Sequence, residues 1–103
     1  MAKVVDGIKF AELKAWEVCF IESIEVDSMF ITDEQVKQVK SVLMLEGKSL
    51  DELNEIRNSV VKHLGDKSSA ARAANDWKSF DKFHNAMSGI TYVIDSLIYT
   101  YNM

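Results

Sequence analysis

Proline is absent from the 103 residues, and glycine occurs only at Gly7, Gly47, Gly65 and Gly89. Sheets and long loops depend on turn residues, whereas long helices do not, so this scarcity points away from a β-rich fold. No two of these glycines are close enough to form a phosphate-binding loop. A single cysteine, Cys19, rules out an intrachain disulfide, so packing alone must hold the fold. One free thiol suits a reducing compartment, and a cytoplasmic location is expected. No stretch reaches the ~18 uncharged apolar residues that a membrane span needs. The nearest, residues 88–102, is interrupted by Asp95. The start, Met-Ala-Lys-Val-Val-Asp-Gly, has no long apolar core, so no secretory signal is expected. Repeats, low-complexity segments and linkers are also missing.

What remains is a composition with 48% apolar and 27% charged residues, typical of a globular chain. At this length a single domain over residues 1–103 with its own core is expected. The net charge of −4 is uneven. Between Glu12 and Glu34, the seven acids Glu12, Glu17, Glu22, Glu25, Asp27, Asp33 and Glu34 face only Lys14, while six acids and six bases balance from Glu52 onward. Such a run is ordinarily a solvated helix face. As a recognition feature it would attract a basic partner and repel nucleic acid.

Periodicity predicts an all-α bundle of about four helices. A first helix is predicted over residues 8–29, with Phe10, Leu13, Trp16, Phe20 and Ile24 on one face. A second, narrower stripe carries Ile8, Ala11, Ala15, Cys19, Val26 and Met29. Two stripes mean that the helix is sandwiched or that one face awaits a partner. Thr32 with Gln35 forms a capping box for a second helix through Val36, Val39 and Leu43, with Gly47 as its stop. Ser49 with Glu52 opens a third through Leu50, Leu53, Ile56, Val60 and Leu64, ended by Gly65. Apolar positions hold heptad phase across Gly47, so one kinked rod is the alternative; the two caps favour a break. The last helix is predicted over residues 69–101, about 50 Å long at 1.5 Å per residue. Its stripe runs through Trp77, Phe80, His84, Met87, Thr91, Ile94, Ile98 and Tyr101, widened by Phe83, Ile90 and Leu97. A C-terminal strand competes on propensity, but the period is 3.6 rather than 2. A rod of that length exceeds the globule such a chain forms, so it must protrude or lie along a partner, and a homodimer is expected.

Catalytic and metal chemistry find little support. Asp81 and His84 make an acid-x-x-His step, but a two-metal bundle needs a second such step, and no acid precedes His63 at that spacing. Cys19 reads as a small buried hydrophobe rather than a nucleophile. Two histidines leave few members for a nucleophile-base device. No catalytic residue, metal ligand or cofactor is therefore predicted, and the chain is not expected to be an enzyme. Residues 38–58 resemble a helix-turn-helix in spacing. The reading helix would open with Asp51, Glu52 and Glu55 against phosphates, so nucleic-acid binding is disfavoured.

Surplus apolar surface is the positive signal. Tyr92 and Tyr99 stand one heptad apart on the outer flank of the last helix, with Val93 beside them. Tyrosine supplies interface area with a polar tip. The predicted partner-binding residues are Tyr92, Val93 and Tyr99 together with the acidic Glu22, Glu25 and Asp27. Residues 49–57, a basic turn and a further helix resemble small phage proteins in general style, which implies a host-directed binder or inhibitor. The expected function is a protein-binding module, an inhibitor or adaptor, without membrane contact. A structural subunit of a larger assembly is the alternative.

Overall fold

Both capping boxes start helices in the computed structural model, which describes residues 3–5, 7–27 and 30–101. The Thr32 hydroxyl accepts from the Gln35 N–H at 3.1 Å, and Gln35 Oε1 accepts from the Thr32 N–H at 3.0 Å. Ser49 and Glu52 repeat the exchange at 3.2 Å in each direction. Orphan donors at each helix start are thereby satisfied. Among the described residues, four helices and one short strand pair result: β1 (Lys3–Val5), β2 (Ile8–Phe10), α1 (Ala15–Ser23), α2 (Asp33–Val42), α3 (Leu50–Ala73) and α4 (Trp77–Tyr101). The chain is mostly helical, with α3 and α4 as its frame.

The break between α2 and α3 is real, but Gly47 does not make it. α2 ends at Met44, which takes the left-handed conformation at φ 52°. The Met44 N–H donates to Ser41 O and the Leu45 N–H to Lys40 O, a Schellman closure, and Leu45 is buried. Gly47, at φ 82°, serves the following turn.

Gly65 likewise does not end a helix. It lies inside α3, where an added Cβ would meet Met87 Sδ at 3.9 Å, an ordinary van der Waals contact, so the packing of α4 does not require a glycine there. α3 ends instead at Asn75, left-handed at φ 58°. The Asn75 and Asp76 N–H groups bond Arg72 O and Ala71 O, a second Schellman closure. Asp76 then caps α4 by accepting from the Ser79 N–H at 3.2 Å. The last helix therefore starts eight residues later than periodicity suggested. At 25 residues it is ~37 Å long. The longest molecular axis is 39 Å, so this helix spans the globule and does not protrude.

The largest correction concerns the expected helix over residues 8–29. Lys3–Val5 and Ile8–Phe10 pair as antiparallel strands with Val5 opposite Ile8, and Gly7 takes φ 80° just before the second strand. Tertiary hydrogen bonds hold the outgoing strand against α3. Asn58 Nδ2 donates to Lys9 O at 3.0 Å, the Ala11 N–H to Glu55 O at 3.1 Å, and Ser59 Oγ to Ala11 O at 2.6 Å. A helix would have turned those backbone groups inward on itself. Only the nine residues of α1 are helical, and the two expected stripes are divided among strand, helix and loop. Met29 lies outside the described residues.

α3 and α4 run antiparallel, as the Arg57–Asp95 ion pair at 2.6 Å and the Gly65–Met87 approach show. Their facing sides bury Leu53, Val60, Leu64, Ile90 and Ile94 almost completely. α1 and α2 both pack on α4 and contribute Ile21, Ile24 and Val39 to the same core. Val93 belongs to this core at 2% exposure, stepping three residues from Ile90 and four to Leu97. Cys19, expected to be buried, is exposed.

Candidate docking groove

After α1, the chain turns extended at Ile24 and crosses the outer side of α4 before entering α2. Gly89 sits at the point of closest approach. A Cβ there would stand 3.0 Å from Val26 Cγ1, so any larger residue would press Val26 aside by a few tenths of an ångström. Gln35 holds the loop from the other side: its Oε1 completes the α2 cap while its Nε2 donates to Glu25 O. Asp27 and Phe30 form an antiparallel bridge, with the Phe30 N–H donating to Asp27 O at 3.2 Å.

This crossing leaves an open groove of about 330 Å³ between loop and helix. Val26, Ile31 and Gly89 form its apolar floor, Asn85 and Ser88 its polar edge, and Asp27 supplies a negative charge. Phe30 and Tyr92 flank it, 75% and 63% exposed. An apolar floor with two such aromatic walls is what a docked side chain requires.

The structure distributes the predicted site residues unevenly. Asp27 and Tyr92, sixty-five positions apart, line the same groove. Tyr99 is exposed on the same helix, seven positions further on. Glu25 lines an adjoining hollow together with Lys78 and Lys82. Glu22 is engaged within the chain: Lys67 Nζ lies 2.9 Å from its carboxylate and His63 Nε2 3.3 Å away. The Lys67 ammonium, with a smaller contribution from the nearby His63 imidazole, holds the Glu22 carboxyl below the usual carboxylate range despite partial burial. Val93, predicted to join the tyrosines, is unavailable because the core encloses it.

Phe30 was not among the expected residues. Its signal is legible afterwards. Ile31 stands just before the Thr32 cap and Val36 at the fourth helical position, a staple pattern, and both are partly buried against the core. Phe30 has no such assignment, and a large apolar residue with none is left for the surface.

Among the described residues, no group of three His, Cys, Asp or Glu side chains is arranged to hold a metal ion. His84, one half of the acid-x-x-His step, is exposed and stacked on Phe80 with ring centroids 5.5 Å apart. No described helix is long and apolar enough to cross a membrane. The chain matches no protein-family model, no curated protein and no solved structure.

Proposed function

We propose that this chain is a small helical protein-binding module, an adaptor or inhibitor, that captures a short segment of another protein in the Phe30–Tyr92 groove. The observation that carries this reading is the pair of largely exposed aromatic side chains, Phe30 and Tyr92, that line one groove together with apolar Val26, Ile31 and Gly89. Such residues are poorly explained by stability, because neither contributes much to the core. Among the described residues, Asp27 is the only charged one lining the groove, so the preferred segment carries an aliphatic or aromatic anchor beside a lysine or arginine. The acidic first third of the sequence contributes through Asp27 and the last helix through Tyr92.

A displayed library of random peptides tests this whatever the partner's identity. Enriched peptides should share an apolar anchor next to a basic residue. They should lose affinity at least about tenfold against Tyr92→Lys, the size expected for an aromatic interface anchor. Helical circular dichroism should persist, since Tyr92 is outside the core. Enriched peptides that bind Tyr92→Lys and Phe30→Ser as well as the parent would sink the groove as the site.

A further inference from the structure

A second groove, lined by apolar and charged residues in equal number, lies at one end of the α3–α4 hairpin and shares no lining residue with the Phe30–Tyr92 groove. Its walls are Trp16 and Met44, 49% and 60% exposed, and Leu43 and Ile56 lie beneath. Four glutamates, Glu12, Glu17, Glu52 and Glu55, stand around it against Lys14 and Lys48. Two of these acids are fixed in place: Glu17 accepts from the Lys14 N–H at 2.8 Å, and Glu52 from the Ser49 N–H at 3.2 Å. Met44 is the unusual member. It holds a left-handed backbone conformation that glycine adopts freely and other residues resist. Its side chain nevertheless points largely into solvent and adds little packing in return. A residue that costs stability and contributes little to the core is a candidate for contact with something outside.

The opposite end of the molecule has the complementary features. The turn between α3 and α4 presents Trp77, 54% exposed, between Arg72 and Lys78. Neither base makes an ion pair among the described residues. Asp76, the nearest acid in sequence, is committed to capping α4. Glu52 and Arg72 are both on α3, twenty residues apart, and therefore ~30 Å from each other. The molecule thus carries an acidic apolar groove at one end and a basic aromatic tip at the other.

We propose that the groove receives the α3–α4 tip of a second copy of this chain, so that molecules associate head to tail. In this arrangement the Trp77 indole inserts between Trp16 and Met44, and Arg72 and Lys78 lie over Glu52 and Glu55. Methionine suits such a wall because its unbranched thioether adapts to the inserted ring. The contact joins two different surfaces, so each added copy leaves a fresh groove and a fresh tip, and growth does not stop at a dimer. Much of the attraction is between solvent-exposed charges, so it weakens as salt rises.

The test needs only the purified chain and two double variants. In sedimentation velocity at low salt, the parent should grow beyond a dimer as concentration rises and revert to monomer in high salt. Trp16→Ser with Met44→Gly disables the groove; the glycine relieves the left-handed strain, so the fold is retained. Trp77→Ser with Lys78→Ser disables the tip at two exposed positions. Each variant alone should remain monomeric with parental helical circular dichroism. Mixed in equal amounts, they should form a one-to-one pair and grow no further, because only one intact groove meets one intact tip. A parent that stays monomeric at every concentration overturns the proposal. So does a variant that still grows, or a mixture that does not pair. A parent dimer abolished by Tyr92→Lys but not by the tip variant also overturns it, and assigns self-association to the other groove. Peptide capture at the Phe30–Tyr92 groove is read separately on the tip variant, so either idea can fail without the other.

Discussion

The α3–α4 hairpin and the segment before α2 are built on different physical terms. In the hairpin, two long helices bury continuous aliphatic faces against each other, and Leu64, Ile90 and Ile94 are fully enclosed. Few specific polar contacts are needed there, because area removed from water provides most of the stability. Residues 3–31 contribute a three-residue strand pair, a nine-residue helix and an extended crossing, none able to stand alone. Ile21 and Ile24 enter the shared core, and individual bonds to the hairpin and to α2 hold the rest: Ser59 and Asn58 to the strand, Gln35 to the loop, Lys67 to Glu22. The difference teaches where recognition surfaces arise in a small chain. Both grooves described above lie where the loosely held segment crosses the rigid frame.

Damage to the frame should give the largest effect. Ile90→Ala leaves a cavity at the centre of the hairpin and should cost ~2–5 kcal/mol in urea unfolding, lowering the stability of every element together. A loss confined to the N-terminal segment by hydrogen exchange would break the comparison. Gln35→Glu keeps an acceptor for the Thr32 cap but removes the donor to Glu25 O. It should cost about 1 kcal/mol and raise exchange mainly in the crossing loop, sparing α3 and α4.

The contact between the two regions is tested by a double-mutant cycle. Gly89→Ala gains helix propensity but presses on Val26, whereas in a Val26→Ala background the pressure is absent. The same substitution should therefore be more favourable by roughly 0.5–1 kcal/mol in the second background. Additivity would show that the loop does not rest on Gly89.

The smallest effect is on the acid limb of stability. Glu22 has a folded-state pKa below its ordinary 4.5, so its contribution is present above that value. It is lost as pH falls through the lower folded value, because the unfolded chain takes up the proton first. Glu52, held down by hydrogen bonds with the cap residue Ser49, and the cap Asp76, held down by hydrogen bonds with Ser79, act in the same direction. Glu22→Gln should be slightly less stable at neutral pH and lose stability less steeply below about pH 4.5 in urea titrations. An unchanged slope would mean that the Lys67 bond does not tie α1 to α3.

The capping boxes at Thr32 and Ser49, the break between α2 and α3, and the apolar stripe of α4 from Phe83 to Ile98 were all legible in the residues. The reason is that each depends on neighbours within a few positions: a hydroxyl three residues from a glutamate or glutamine, or a 3.6-residue period. The turn at Asn75-Asp76 was equally local, since asparagine tolerates a left-handed backbone and aspartate caps a helix. Gly65 was given the stopping role that those two residues perform. In the candidate site, Tyr92 and Asp27 were found and Phe30 was not, because a groove is a relation between distant segments.

Local chemistry by itself determined where most helices begin, that the chain is mainly helical, and which side of the last helix is apolar. Tertiary structure alone decided that Lys3–Val5 and Ile8–Phe10 pair as strands, that Val93 is enclosed while Tyr92 is open, and that α4 spans the globule. A backbone donor or acceptor on the first segment has several possible partners in the sequence. Only the packed hairpin, by placing Glu55, Asn58 and Ser59 in a row beside it, selects one.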